Sequence, residues 1–155
     1  MSPDQLRREE TRAWLDRACR DLQAANLLIA GEANAEPLFH CQQAVEKALK
    51  AFLTFHERTF RKTHDLGDLG SQSLAFDDSL QPVVSQAEAL TQYAWRFRYP
   101  GESYEPDSAE AQEGLEKAEA AVGEVERRLP AADSGGVGNA RISAAHADNC
   151  SIATV

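Results

Sequence analysis

Between Leu38 and His56 the side chains of Leu38, Cys41, Val45, Leu49, Phe52 and His56 recur at spacings of three and four. That spacing marks one face of an α-helix. A stripe this long must be buried against another element. No segment of the chain alternates with period two over a useful length, so there is no sheet to receive it. The partners must be other helices. The fold class that follows is all-α, an up-and-down bundle of four to five helices. On the other side of the same segment His40, Gln43, Lys47, Lys50 and Thr54 form a second, polar stripe, whose simplest reading is a solvated face. Glu46 precedes Lys50 by one turn in the favourable order, an ion pair contributing at most about 0.5 kcal/mol on a surface.

The other helices read in chain order. The first spans about residues 4 to 30, with Leu15, Ala18, Cys19, Leu22, Ala25 and Ile29 as its buried stripe. Its arginines alternate with Glu9, Glu10, Asp16 and Asp21 on what reads as a solvated face. Gly31 ends it, and the short link to Pro37 makes the second helix, about 36 to 57, an antiparallel neighbour. Arg58 to Lys62 is a basic exit. Thr63 or Asp65 can cap a short, weak helix containing Leu66 and Leu69, and residues 70 to 79 read as a loop. Pro82 opens a helix that runs until Pro100 forbids it. Asp107 to Glu110 caps a last helix, ending at Pro130. The sequence thus divides into a helical domain, 1–130, and a segment from Ala131 to Val155 rich in Ala, Gly, Ser and Asn. That segment is expected to be a disordered tail, because it has too little apolar surface to offset chain entropy.

Composition narrows the function. At 155 residues the chain is large enough to hold a core without disulfides or metal. Its formal charge of −9 argues against general nucleic-acid binding, which needs a cationic surface. The charge is uneven, however. From His40 to His64, Lys47, Lys50, Arg58, Arg61 and Lys62 face only Glu46 and Glu57, whereas the last helix is strongly acidic. A local basic patch suits one small anion, a short RNA or a charge-matched partner protein. Without a membrane-length apolar run or a signal-like start, a cytoplasmic protein is expected, with no membrane association. Cys19, Cys41 and Cys150 show no zinc spacing, and no Gly-rich phosphate loop occurs, so no metal or cofactor is expected.

Three segments carry a resemblance: QAVEKALK from Gln43 to Lys50, KTHDL from Lys62 to Leu66, and Arg98-Tyr99-Pro100. In this combination the chain, over roughly residues 10 to 128, resembles the HEPN family, the higher-eukaryote and prokaryote nucleotide-binding domain. The resemblance implies a small helical bundle, often dimeric and often found beside a minimal nucleotidyltransferase. Some members are metal-independent ribonucleases, and others are non-catalytic nucleotide- or RNA-binding modules.

Against that background the candidate ligand-binding residues are Lys47, Lys50, His64 and Arg98. His64 supplies an imidazole, a side chain able to act as general acid or base, and Arg98 offers a planar fork to a phosphate. The plainer alternative has Asp65 capping a helix, His64 satisfying a buried polar group, and Arg98 pairing with an acid such as Glu46. Active ribonucleases of the family resemble an arginine followed four to six residues later by a histidine. Arg58 and His64 meet that spacing across a helix exit, whereas Pro100 and Gly101 follow Arg98 and no histidine does. The expected function is therefore a non-catalytic nucleotide-, RNA- or partner-binding module. The resemblance further implies a homodimer, with a nucleotidyltransferase as candidate partner. The alternative is a toxin-type endoribonuclease using Arg58 and His64.

Overall fold

A computed structural model of the chain describes residues 1–102 and 104–131. The expected tail lies outside the described residues, apart from Ala131. Five α-helices are present among them: α1 Pro3–Ala30, α2 Ala35–Phe55, α3 Leu66–Leu74, α4 Gln81–Ala87 and α5 Ser108–Arg128. No strand occurs among the described residues, and no helix there is long and apolar enough to cross a membrane. The all-α class expected from periodicity is the one observed.

α2 is the central element. It packs against α1, α3, α5 and the 3-10 segment that follows α4, and partners on so many sides leave little of it to solvent. Leu38, Cys41, Ala44, Val45, Ala48, Leu49, Phe52 and Leu53 are all buried, and so are Gln42, Glu46 and Lys50. Of the polar stripe Lys50 is buried, whereas His40, Gln43, Lys47 and Thr54 are half-buried, so the stripe is only in part the solvated face expected. Cys41 is a free, buried thiol. Burial pushes its pKa up to about 12, with the charges of Glu119 and Asp21 adding to the effect.

α1 ends at Ala30 as expected, but the way it closes differs, and so do several other boundaries. Gly31 does not supply the left-handed residue after α1. Glu32 does, at φ 65°, while Ala33 N–H donates to the Leu28 carbonyl and Glu32 N–H to that of Ile29. α2 ends in the same way, two residues early, with Glu57 at φ 55° and Arg58 N–H donating to the Leu53 carbonyl. Both are Schellman closures with glutamate in the place glycine usually takes.

Part of the expected loop 70–79 is helical, because α3 continues to Leu74. Asp65 caps it, accepting from the Gly67 and Asp68 N–H groups, and Leu66, Leu69 and Ser73 are buried. Gly70 allows the close approach to α4: a Cβ there would lie 2.4 Å from Val84 Cγ1. The glycine that weakens the helix locally is what lets it dock.

The helix expected to run up to Pro100 instead tightens after Ala87 into a 3-10 segment, Glu88–Ala94. Ala87, Leu90 and Tyr93 are buried, and their strict spacing of three matches a 3-10 turn, where residues i and i+3 eclipse. Phe97 then takes φ 64°, so Arg98 and Tyr99 lie in an irregular turn beyond the helical segment. α5 begins as expected, with the Asp107 carboxylate accepting from Glu110 N–H at 2.9 Å.

Candidate functional site

Two carboxylates organise the polar side of α2. Glu46 is the more deeply buried, with 4% of its surface exposed. Lys50, one turn on, donates to its Oε1 at 2.6 Å. Its Oε2 accepts from Gln42 Nε2 at 3.0 Å and Gln43 Nε2 at 3.2 Å. His64 Nδ1 lies 2.9 Å from the same oxygen. Gln42 also donates to the His64 carbonyl at 3.1 Å, so one buried amide fixes both the carboxylate and the connection that carries the imidazole.

The Lys50 ammonium is enclosed by aromatic rings. It lies 5.5 Å from the Trp14 ring centre and 5.8 Å from that of Phe60, two rings in edge-to-face contact with each other. Their electron-rich faces help stabilise a cation withdrawn from water. For Glu46, burial raises the carboxyl pKa, but hydrogen bonds from Lys50, His64 and Gln42 and the Lys50 charge together outweigh it and hold it below the ordinary range. Glu46 is therefore ionised at neutral pH, and the pair is a buried ion pair rather than the surface pair its spacing suggests.

The second carboxylate is Asp21, buried on α1. It is bound by Lys47, and His40 Nδ1 lies 2.8 Å from its other oxygen. Arg98 occupies a third place. It donates to the Ala94 carbonyl at 3.2 Å, and its guanidinium lies 5.4 Å from the centre of the Phe39 ring.

The four candidate residues are thus distributed. Lys50 and His64 converge on Glu46, Lys47 joins Asp21, and Arg98 rests on Phe39. Arg58 is exposed in the segment after α2, the same connection that carries His64. Among the described residues no group of three or more His, Cys, Asp or Glu is placed to hold a metal ion.

His64 differs from the rest in accessibility. Its side chain is 66% exposed although it is anchored to a carboxylate that is 5% exposed. With its proton on Nδ1, donated to Glu46, the imidazole keeps Nε2 for another partner, as acceptor when neutral and donor when protonated.

Sequence reasoning missed Gln42, Asp21, His40 and the Trp14–Phe60 pair. For Asp21 a signal existed: it falls three residues after Ala18 and four before Ala25, on the apolar stripe of α1. An acid in such a position needs a buried partner. For the aromatic pair no local signal exists, since Trp14 and Phe60 meet only through the fold.

A family model described as the HEPN domain matches residues 11–128. Among solved structures the chain is similar to TT1696 from Thermus thermophilus, 26% identical with a TM-score of 0.65, over 77% of this chain and 98% of that one. It is also similar in fold to ST0689, described as an archaeal HEPN homologue, 23% identical with a TM-score of 0.63, over 78% and 98% of the two chains. No curated protein matches it.

Proposed function

The chain belongs to the HEPN domain family, and on that premise we propose that it is a non-catalytic module binding the phosphate of a nucleotide or short RNA along the outer side of α2. The observation that carries this reading is His64, exposed yet held from behind by a buried, ionised Glu46. Lys50 and Lys47 contribute indirectly, by fixing Glu46 and Asp21. The contacting groups are the His64 imidazole and the Arg98 guanidinium. Phe39, which carries Arg98, is one turn from Gln43, which reaches Glu46. From Phe39 to Glu46 the helix rises roughly 10 Å, a span that a single nucleotide with its phosphates can cover.

ATP, GTP or a short oligoribonucleotide is expected to raise the thermal midpoint modestly, and less so as salt is added. Arg98→Ala should remove most of that stabilisation, because a planar bidentate donor has no substitute nearby, and His64→Ala should remove part. If no such ligand moves the midpoint and Arg98→Ala destabilises the free protein instead, Arg98 is a structural residue and the ligand reading fails.

The ribonuclease alternative draws on the same histidine, since an imidazole oriented by a carboxylate is what a general base requires. Its second residue, Arg58, is exposed, and among the described residues no hydrogen bond or ion pair holds it against His64. RNA is therefore expected to stay intact in the presence of chelator. Cleavage lost in both Arg58→Ala and His64→Ala would reverse that assignment.

The module acts as a homodimer in this proposal, beside a nucleotidyltransferase. Leu27, Trp95 and Tyr99 expose 74%, 57% and 74% of their surfaces, and an isologous contact is the simplest way to cover them. Light scattering should give twice the chain mass, and a monomer mass across a hundredfold range of concentration would exclude the dimer.

A further inference from the structure

The two buried carboxylates divide their oxygens in the same way. Glu46 gives Oε1 to the Lys50 ammonium and Oε2 to His64 Nδ1. Asp21 gives Oδ2 to Lys47 and Oδ1 to His40 Nδ1. A carboxylate can only accept, so His40 Nδ1 carries the proton, and the ring is held in one tautomer and one orientation. Lys47 already supplies the counter-charge for Asp21, so the imidazole is not needed to neutralise it. Its side chain is 31% exposed, and among the described residues its Nε2 has no hydrogen-bond partner and is not sealed from water.

His40 is also a neighbour of Arg98. The half-buried Phe39 ring has the Arg98 guanidinium 5.4 Å from its centre on one side. The His40 ring meets it edge to face, with the two ring centres 5.5 Å apart. Arg98 and His40 therefore flank a single aromatic ring at the start of α2. Arg98 is exposed, and its one hydrogen bond goes to the Ala94 carbonyl, so among the described residues no carboxylate occupies its fork. Glu46, with His64 in front of it, lies six residues further along the helix, roughly 9 Å on.

Resting on the phosphate-binding reading above, we propose that His40 is a third contacting residue of the α2 site: His40 Nε2 and the Arg98 guanidinium together hold the phosphates of a nucleotide, and His64 meets the rest of the ligand at the other end. Nε2, protonated from solvent, donates to a phosphate oxygen beside the Arg98 donors. Bonds from two cationic groups to a charged acceptor are the stronger kind. Asp21 behind the ring favours its charged form, as an opposite charge in contact does. Lys47, turned to Asp21, is fixed in place rather than left to compete for the phosphate.

The test uses the full chain with ATP as probe and adenosine as its phosphate-free control, followed by imidazole nitrogen resonances in two-dimensional NMR and by calorimetry. ATP is expected to move the His40 Nε2 resonance in a saturable way, and adenosine to leave it in place. His40→Asn keeps an N–H close to the position of Nδ1, so Asp21 stays satisfied, and removes Nε2. It should hold the thermal midpoint while weakening ATP about tenfold. Should that variant lose stability as well, the Nε2 resonance of the unmutated chain decides. If ATP moves the His64 resonance but not that of His40, or if His40→Asn binds ATP as tightly as the unmutated chain, the role of His40 is overturned while the phosphate-binding reading stands. A shift of His40 by adenosine equal to that by ATP overturns it too. If ATP binds nowhere on the chain, both fall together.

Discussion

Glu46→Ala is expected to destabilise the fold by about 3–5 kcal/mol, because it strands the Lys50 ammonium in the interior without its counter-charge. Lys50 is 8% exposed, so water cannot replace the lost carboxylate, and the two aromatic rings beside it offset only part of the cost. The change is a large share of the roughly 5–15 kcal/mol available to a domain. It should appear in urea unfolding as a lower midpoint at an unchanged slope. Replacing both partners, Glu46→Leu with Lys50→Met, should cost far less than the single change, since a buried pair and an apolar pair of similar size are often near equal. If the single change costs under about 1 kcal/mol, a value typical of exposed pairs, the pair is not buried in solution.

The same residue sets an acid limit. Its folded pKa lies below its ordinary value of 4.5. A depressed carboxylate contributes stability that is present in full above the unfolded value and lost as pH falls through the folded one. The unmutated protein should therefore lose stability below about pH 4.5 more steeply than Glu46→Gln, and the gap between the two should narrow there.

Gly114→Ala is the second large effect, and here two terms oppose each other. Alanine favours a helix interior over glycine by about 1 kcal/mol. Its Cβ, however, would lie 2.4 Å from Leu38 Cδ2 and 3.6 Å from Leu90 Cδ2. Leu38 is fully buried and Leu90 nearly so, and overpacking of a closed core costs about 1–3 kcal/mol. The clash is expected to win, so thermal and urea midpoints should both fall, and Gly114→Val should lower them further. Leu38→Ala vacates the space the new methyl needs. The double variant should therefore be more stable than the two single changes added together, by about 1 kcal/mol or more. A rise in stability for Gly114→Ala alone would mean that α5 has slack against α2.

Much of the fold was legible in the sequence. Periodicity of three and four marked α1, α2 and α5 to within two or three residues, since an apolar stripe is a local record of which face is buried. Asp65 and Asp107 announced their helices because capping is chemistry within one turn. The order of Glu46 and Lys50 specified their pairing for the same local reason. What only the tertiary structure decided is whether that pair is wet or dry. Periodicity assigns a helix one buried face, but α2 has neighbours on several sides, and Trp14, Phe60 and the His64 connection close over its polar stripe from distant parts of the chain. Asp21 with Lys47, and Gly114 against Leu38, are likewise meetings between separate helices. Residues far apart in sequence come together through packing, and the spacing within a single helix carries no record of that contact.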